Sequence, residues 1–215
     1  MQRRIYRAII KTGMEEEAVT TLNLAKPRLL DLSNHGSIEC PSLFRFNQEI
    51  YFYFEFSGLE HCPGDLFIEA SAYLESWPGF EGSRKWVPMH DIFHYQAPQN
   101  PEEWRRKTKV EKPHGRIIRL KPEMIASYIF YHYQYQEEKP CDGDKYGIIG
   151  IHEDVLFFYL EEPTYQEEAA YEGLLKTQNS PKNWGEVMSQ HFKKWPDQKY
   201  SDDNWRDCEV LLTLY

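Results

Sequence analysis

The same order of elements can be read twice along this chain, and that repetition limits the folds open to it more than any other feature. Ser42 to Phe46, Asn47-Gln48 and Glu49 to Ser57 read as two strands around a short turn, rich in aromatic strand formers. Tyr146 to Ile151 and Asp154 to Glu161 read as a second hairpin, with His152-Glu153 at its tip. A strand and a helix precede each hairpin. The strands are Ile5 to Lys11 and Arg116 to Leu120. The first helix runs from Met14 to about His35, with Val19, Leu22, Leu29, Leu30 and Leu32 at helical spacing and Asn34-His35-Gly36 as its stop. The second runs from Glu123 to about Glu138, opened by Pro122. A helix and a strand then follow each hairpin. In the first half these are about Asp65 to Trp77, with Asp65 as N-cap, and Val87 to Tyr95. In the second they are Tyr165 to Lys176, continued by Trp184 to Trp195, and Glu209 to Tyr215.

The order βαββαβ gives a four-stranded antiparallel sheet with two helices on one face, the ferredoxin-like arrangement. Such a sheet leaves its other face bare, and the aromatics of both hairpins would form a large exposed apolar patch. Packing the two sheets face to face within one chain removes it. The expected fold is therefore α+β: two tandem ferredoxin-like units forming an intrachain pseudo-dimeric α+β barrel. Residues 1–96 form the first repeat and 116–215 the second, which carries the candidate site. Between them, 97–115 is a linker rich in Pro and charge, with a short surface helix around Trp104.

The chain has 215 residues and a net charge of −9, with no basic patch to hold a phosphate backbone, so nucleic acid is not an expected partner. A mean hydropathy of −0.70 beside 15% aromatic residues implies a core built from Tyr, Phe and Trp. No apolar run approaches the roughly 18 residues that span a bilayer, and Ile5 to Ile10 is too short for a signal-peptide core. A cytoplasmic protein with no membrane partner is expected. Cys40, Cys62, Cys141 and Cys208 are scattered, without the spacing of a disulfide framework or a zinc site, so no metal is expected.

On the second helix, Tyr128, Tyr131, His132 and Tyr135 fall along one stripe. Three phenols and an imidazole need hydrogen-bond partners in a dry core, but they suit a pocket for a polyhydroxylated ligand. The plainer alternative is a core face, with His132 bonded to a backbone carbonyl. His191 and Trp195, one turn apart, are either pocket-lining or a surface helix end. His90 and His94 share a strand face roughly 13 Å apart, which suits structural or surface roles better than metal ligation. Glu161-Glu162 and Glu167-Glu168 are adjacent pairs that do not face each other across a bond, so they read as solvated surface.

Lys26-Pro27-Arg28-Leu29-Leu30, Ser42-Leu43-Phe44-Arg45, Tyr51 to Glu55, Asp91 to Tyr95 and Lys121-Pro122 leading into Tyr128-x-x-x-His132 together resemble the L-rhamnose mutarotase family of dimeric α+β barrels. The resemblance covers most of the chain as two copies, where family members are single units that dimerise. The first copy has Ala18 and Leu22 where the Tyr and His stand in the second. The resemblance implies a cofactor-free sugar mutarotase acting on a free monosaccharide. His132 would be the general acid/base and Tyr128 its partner. Tyr131, Tyr135, His191 and Trp195 would bind substrate. The protein would be a monomer with pseudo-dimer architecture or a weak homodimer. A degenerate barrel that binds a sugar without turnover is the alternative.

Overall fold

The computed structural model describes residues 1–80, 82–168, 171–199 and 204–215. Along the chain run β1 (Gln2–Ile9), α1 (Glu15–Asn23), α2 (Lys26–Asn34), β2 (Glu39–Phe46), β3 (Glu49–Phe56) and α3 (Pro63–Leu66). A 3-10 turn at Ile68–Tyr73 leads to β4 (Trp77–Gly79), β5 (Gly82–Arg84), β6 (Val87–Pro88), β7 (His90–His94) and α4 (Pro101–Trp104). Then follow β8 (Lys112–Arg119), α5 (Ile125–Glu138), β9 (Ile148–His152), β10 (Val155–Glu162), α6 (Trp184–Ser189), β11 (Arg206–Asp207) and β12 (Glu209–Thr213). The class is α+β with antiparallel sheets, and the chain divides into two compact units.

The first unit comprises 1–89, 100–105 and 208–215. Its sheet has the order β12-β2-β3-β1-β6. The second comprises 90–99 and 106–207, with the order β11-β8-β10-β9-β7. The expected single strand from Val87 to Tyr95 is thus divided. Val87–Pro88 pairs with β1, and after Met89 the chain enters β7, which pairs with β9. The end of the chain does the same: Arg206–Asp207 pairs with β8, and after Cys208 the strand β12 pairs with β2. The compact units therefore do not follow the sequence halves. Each five-residue strand occupies an edge, at β9 or β2, that would otherwise present unpaired N–H and C=O groups.

Other expectations change for local reasons. The helix expected over Met14 to His35 is two helices. Pro27 at the second position of α2 has no N–H to give residue 23, and its ring clashes with that carbonyl. The expected helix Asp65 to Trp77 is one turn of α-helix followed by 3-10 structure. Pro63 takes the first helical position, so Cys62 rather than Asp65 becomes the cap. Beyond β10, the expected helical region is irregular in 165–168 and 171–183, and only α6 is helical. Backbone N–H groups there are taken by side chains: Leu174 donates to Glu137, and Asn179 and Ser180 donate to Glu138. Around Trp104 the expected short surface helix is present, with Pro101, Glu102 and Glu103 exposed, while the Trp104 indole turns inward and donates to the buried carboxylate of Glu55 at 3.0 Å.

The core of the first unit gathers Ala18 and Leu22 of α1, Ala25 at the junction and Leu29 of α2 with Leu43, Phe52, Phe54 and Phe67. That of the second gathers Phe93, Ile118, Tyr128, Ile149, Leu156, Met188 and Phe192. Among the described residues, no helix is long and apolar enough to cross a membrane.

Candidate functional site

One row of paired residues crosses the sheet of the second unit. Asp207 on β11 pairs with Arg116 on β8, Arg116 with Phe158 on β10, Phe158 with Ile149 on β9, and Ile149 with Phe93 on β7. Directly paired residues point to the same face of a sheet, so the row is a single band of side chains. Four of its members, Arg116, Phe158, Ile149 and Phe93, line a cavity of about 670 Å³. Tyr128, His132 and Tyr135 of α5 line it from the helix side, and α6 contributes Trp184, Gly185, Glu186, Met188 and Ser189. Tyr95, Phe192, Asn204 and Trp205 complete the wall. A volume of this size accepts a small organic ligand.

Positions 128, 132 and 135 are one and two turns apart, within about 60° of arc on a helix. Tyr128 and His132 are buried, at 1% and 4% exposure. His132 Nδ1 lies 2.9 Å from the Tyr128 carbonyl oxygen. A carbonyl only accepts, so Nδ1 carries the proton and Nε2 holds the lone pair. His132 thus bonds a backbone carbonyl, as the core alternative expects, and also lines the cavity: one nitrogen satisfies the backbone, and the other has no partner among the described residues. Burial pushes the His132 pKa down to about 4, against a smaller opposing effect of the backbone hydrogen bond, so the ring is neutral at pH 7. Burial raises the Tyr128 phenol well above its ordinary value, and it is neutral as well. Its hydroxyl has no hydrogen-bond partner among the described residues.

The surrounding rings fix this pair. Phe93 and Trp184 meet the His132 ring edge-on at 5.2 and 4.9 Å. Tyr135 packs on Trp184 at 4.7 Å and donates its hydroxyl to Asp142. Tyr95 lies against Gly143, where a Cβ would fall 2.3 Å from the ring. That close approach explains the glycine in the Asp142-Gly143-Asp144 turn.

Of the substrate-binding residues expected from sequence, only Tyr135 lines the cavity. Tyr131 sits at the far edge of the stripe, about 100° from His132, and its ring meets His191 instead. His191 is buried behind Tyr128, with its ring 5.8 Å from the tyrosine's. Its Nδ1 donates to the Val187 carbonyl, and its Nε2 lies 2.9 Å from the Ser127 hydroxyl. That fastens the start of α5 to the end of α6. Trp195 donates its indole N–H to the Asn204 carbonyl and does not line the cavity. Sequence reading missed Arg116, Phe158, Ile149, Phe93, Trp184 and Trp205 as lining residues. Trp184 carries a signal, since a tryptophan opening a helix beside Gly185 has little reason to be solvent-facing. The sheet row carries none, because its alignment is set by pairing between distant strands.

At the matching row of the first unit, Tyr6 pairs with Phe52 and Phe52 with Leu43. Phe67 packs edge-on against Phe52 at 4.9 Å and tilted against Trp86 at 5.1 Å, in the same core cluster as Ala18 and Leu22. Among the described residues, no group of three or more His, Cys, Asp or Glu is placed to hold a metal ion.

No protein-family model matches the chain, and no curated protein matches it in sequence. Among solved structures it is similar to one described as a "putative monooxygenase" from Lactobacillus acidophilus NCFM. The identity is 10% and the TM-score 0.44, over 99% of this chain and 96% of that one. A likeness this slight bears on neither family nor chemistry.

Proposed function

We propose that the second unit binds a free aldose in this cavity and interconverts its anomers, as an L-rhamnose mutarotase-like isomerase. The observation that carries the reading is the pairing of two unpartnered groups on one wall: the lone pair of His132 Nε2 and the hydroxyl of Tyr128. Mutarotation needs one proton acceptor and one proton donor at the same time. His132 Nε2 takes the proton of the anomeric hydroxyl while Tyr128 gives its proton to the ring oxygen. The C1–ring-oxygen bond breaks, leaving a C1 carbonyl. Rotation about C1–C2 and reclosure on the other carbonyl face return each proton to its source. Both residues start in the required form at neutral pH, because burial keeps each uncharged. Aromatic rings around them offer flat faces to sugar C–H groups.

The tandem ferredoxin-like reading belongs to the same proposal. The shared strand orders and the divided closing strands of the two units support it. On this reading the first copy is the structural one, because Ala18 and Leu22 replace the Tyr and His.

A binding protein without turnover is the second reading. The observation favouring it is the low pKa of His132, which makes Nε2 a weak base. Anomer exchange measured by saturation-transfer NMR over a panel of free aldoses, L-rhamnose included, separates the two. Exchange accelerated by the wild type and lost in His132→Asn is the expected result. Asparagine keeps a donor for the Tyr128 carbonyl but has no counterpart of Nε2. Saturable binding with no acceleration would leave only the binding reading, and unchanged exchange in the variant would overturn the role of His132.

A further inference from the structure

Arg116 is the one arginine or lysine among the residues lining the cavity, and it makes no hydrogen bond among the described residues. Its Nε lies 3.1 Å from Asp207 Oδ1, at an angle that forms an ion pair without a hydrogen bond. The side chain of Asp207 is 78% exposed, so water screens that pair. Nε is buried against Asp207, but the four N–H donors of the two Nη groups make no hydrogen bond among the described residues, in a wall that is otherwise mostly aromatic. The other charged lining residue, Glu186, is held by the side-chain amide of Asn183 at 2.8 Å.

We infer that Arg116 selects a carboxylate on the sugar, so that the ligand class of this cavity is the free uronic acids. The inference rests on the aldose reading of the same site. A guanidinium matches a carboxylate in a planar, two-point fork. A single guanidinium carries one positive charge, which matches a monoanion and does not compensate a phosphate dianion. In a hexuronic acid the carboxylate is carried by the ring carbon on the far side of the ring oxygen from the anomeric carbon. Anchored at Arg116, the sugar keeps its ring oxygen and anomeric hydroxyl for Tyr128 and His132.

The test is calorimetric titration of the full chain with glucuronate and galacturonate against glucose and galactose, repeated for Arg116→Met, Arg116→Lys and Asp207→Asn. Uronates are expected to bind about tenfold tighter than the matched neutral sugars. The preference should fall to about unity in Arg116→Met, survive in part in Arg116→Lys and grow in Asp207→Asn, which releases the guanidinium without touching the cavity wall. Equal affinity for both classes in the wild type, or a preference that persists in Arg116→Met, overturns the inference and leaves the aldose reading standing. Failure of every sugar to bind overturns both.

Discussion

His132 packs on Tyr128 with ring centroids 4.0 Å apart and donates its Nδ1 proton to that same tyrosine's backbone carbonyl. One turn of helix therefore fixes the tautomer of the base and the position of the acid together. The pair cannot be loosened one residue at a time, because the carbonyl that orients the imidazole belongs to the residue whose ring it packs against.

Stability should depend on pH through His132. Its pKa falls from 6.5 unfolded to about 4 folded, so the unfolded chain binds more protons between those values. The contribution is complete above about pH 6.5 and is lost as pH falls towards 4, for a total of at most about 3 kcal/mol. Urea unfolding at pH 7 and pH 4.5 should show a loss in the wild type that is smaller in His132→Asn. Equal losses in the two proteins would mean the histidine is not buried neutral.

Tyr128→Phe separates chemistry from packing. The Tyr128 hydroxyl has no hydrogen-bond partner among the described residues, so its removal forfeits no hydrogen bond within the protein. Stability should change by no more than about 1 kcal/mol. Anomer exchange should fall by about 10² or more, because the proton donor to the ring oxygen is gone. The split should appear in kcat rather than KM. A variant that exchanges anomers at the wild-type rate would remove Tyr128 from the mechanism.

Glu138 holds the irregular segment that leads into α6. Its carboxylate accepts from the Thr177 hydroxyl, the Asn179 N–H, and the N–H and hydroxyl of Ser180. Desolvation alone would raise its pKa, but these hydrogen bonds outweigh it and hold the group at about 2. In Glu138→Ala, amide exchange at Asn179 and Ser180 should rise while that of β8 and β10 stays the same. Sugar affinity should drop with it, since the segment runs directly into α6, which begins at the lining residue Trp184. Unaltered exchange at both amides would show that the segment is held by other contacts.

Both hairpins and the buried placement of Tyr128 and His132 could be read from sequence because they rest on local patterns. Strand formers flank Asn47-Gln48, where the first turn forms, and the second turn falls at Glu153-Asp154, one residue beyond the expected His152-Glu153, with Asn47 and Glu153 at φ 54° and 56°. The helical period puts 128 and 132 on one face. What escaped reading is nonlocal. Periodicity makes Val87 to Tyr95 a strand but does not say that its two parts join different sheets. Nor does it say that Arg116, Phe158, Ile149 and Phe93 align. Glu137 and Glu138 capture backbone N–H groups some forty residues away, which no local helix propensity for 165–183 can anticipate.

Phe67→Ala tests whether the first unit is purely structural. Phe67 is fully buried between Phe52 and Trp86, in the same core as Ala18 and Leu22, which offer no proton-transfer group. Removing the ring leaves a hole that the neighbouring aromatics fill only in part, at a cost of about 3–5 kcal/mol. Unfolding midpoints in denaturant should fall accordingly, while anomer exchange per folded molecule stays at the wild-type level, because among the described residues every one that lines the cavity belongs to the second unit. Loss of exchange in a variant that remains folded would contradict this, and would mean that the filled core of the first unit supports the chemistry of the second.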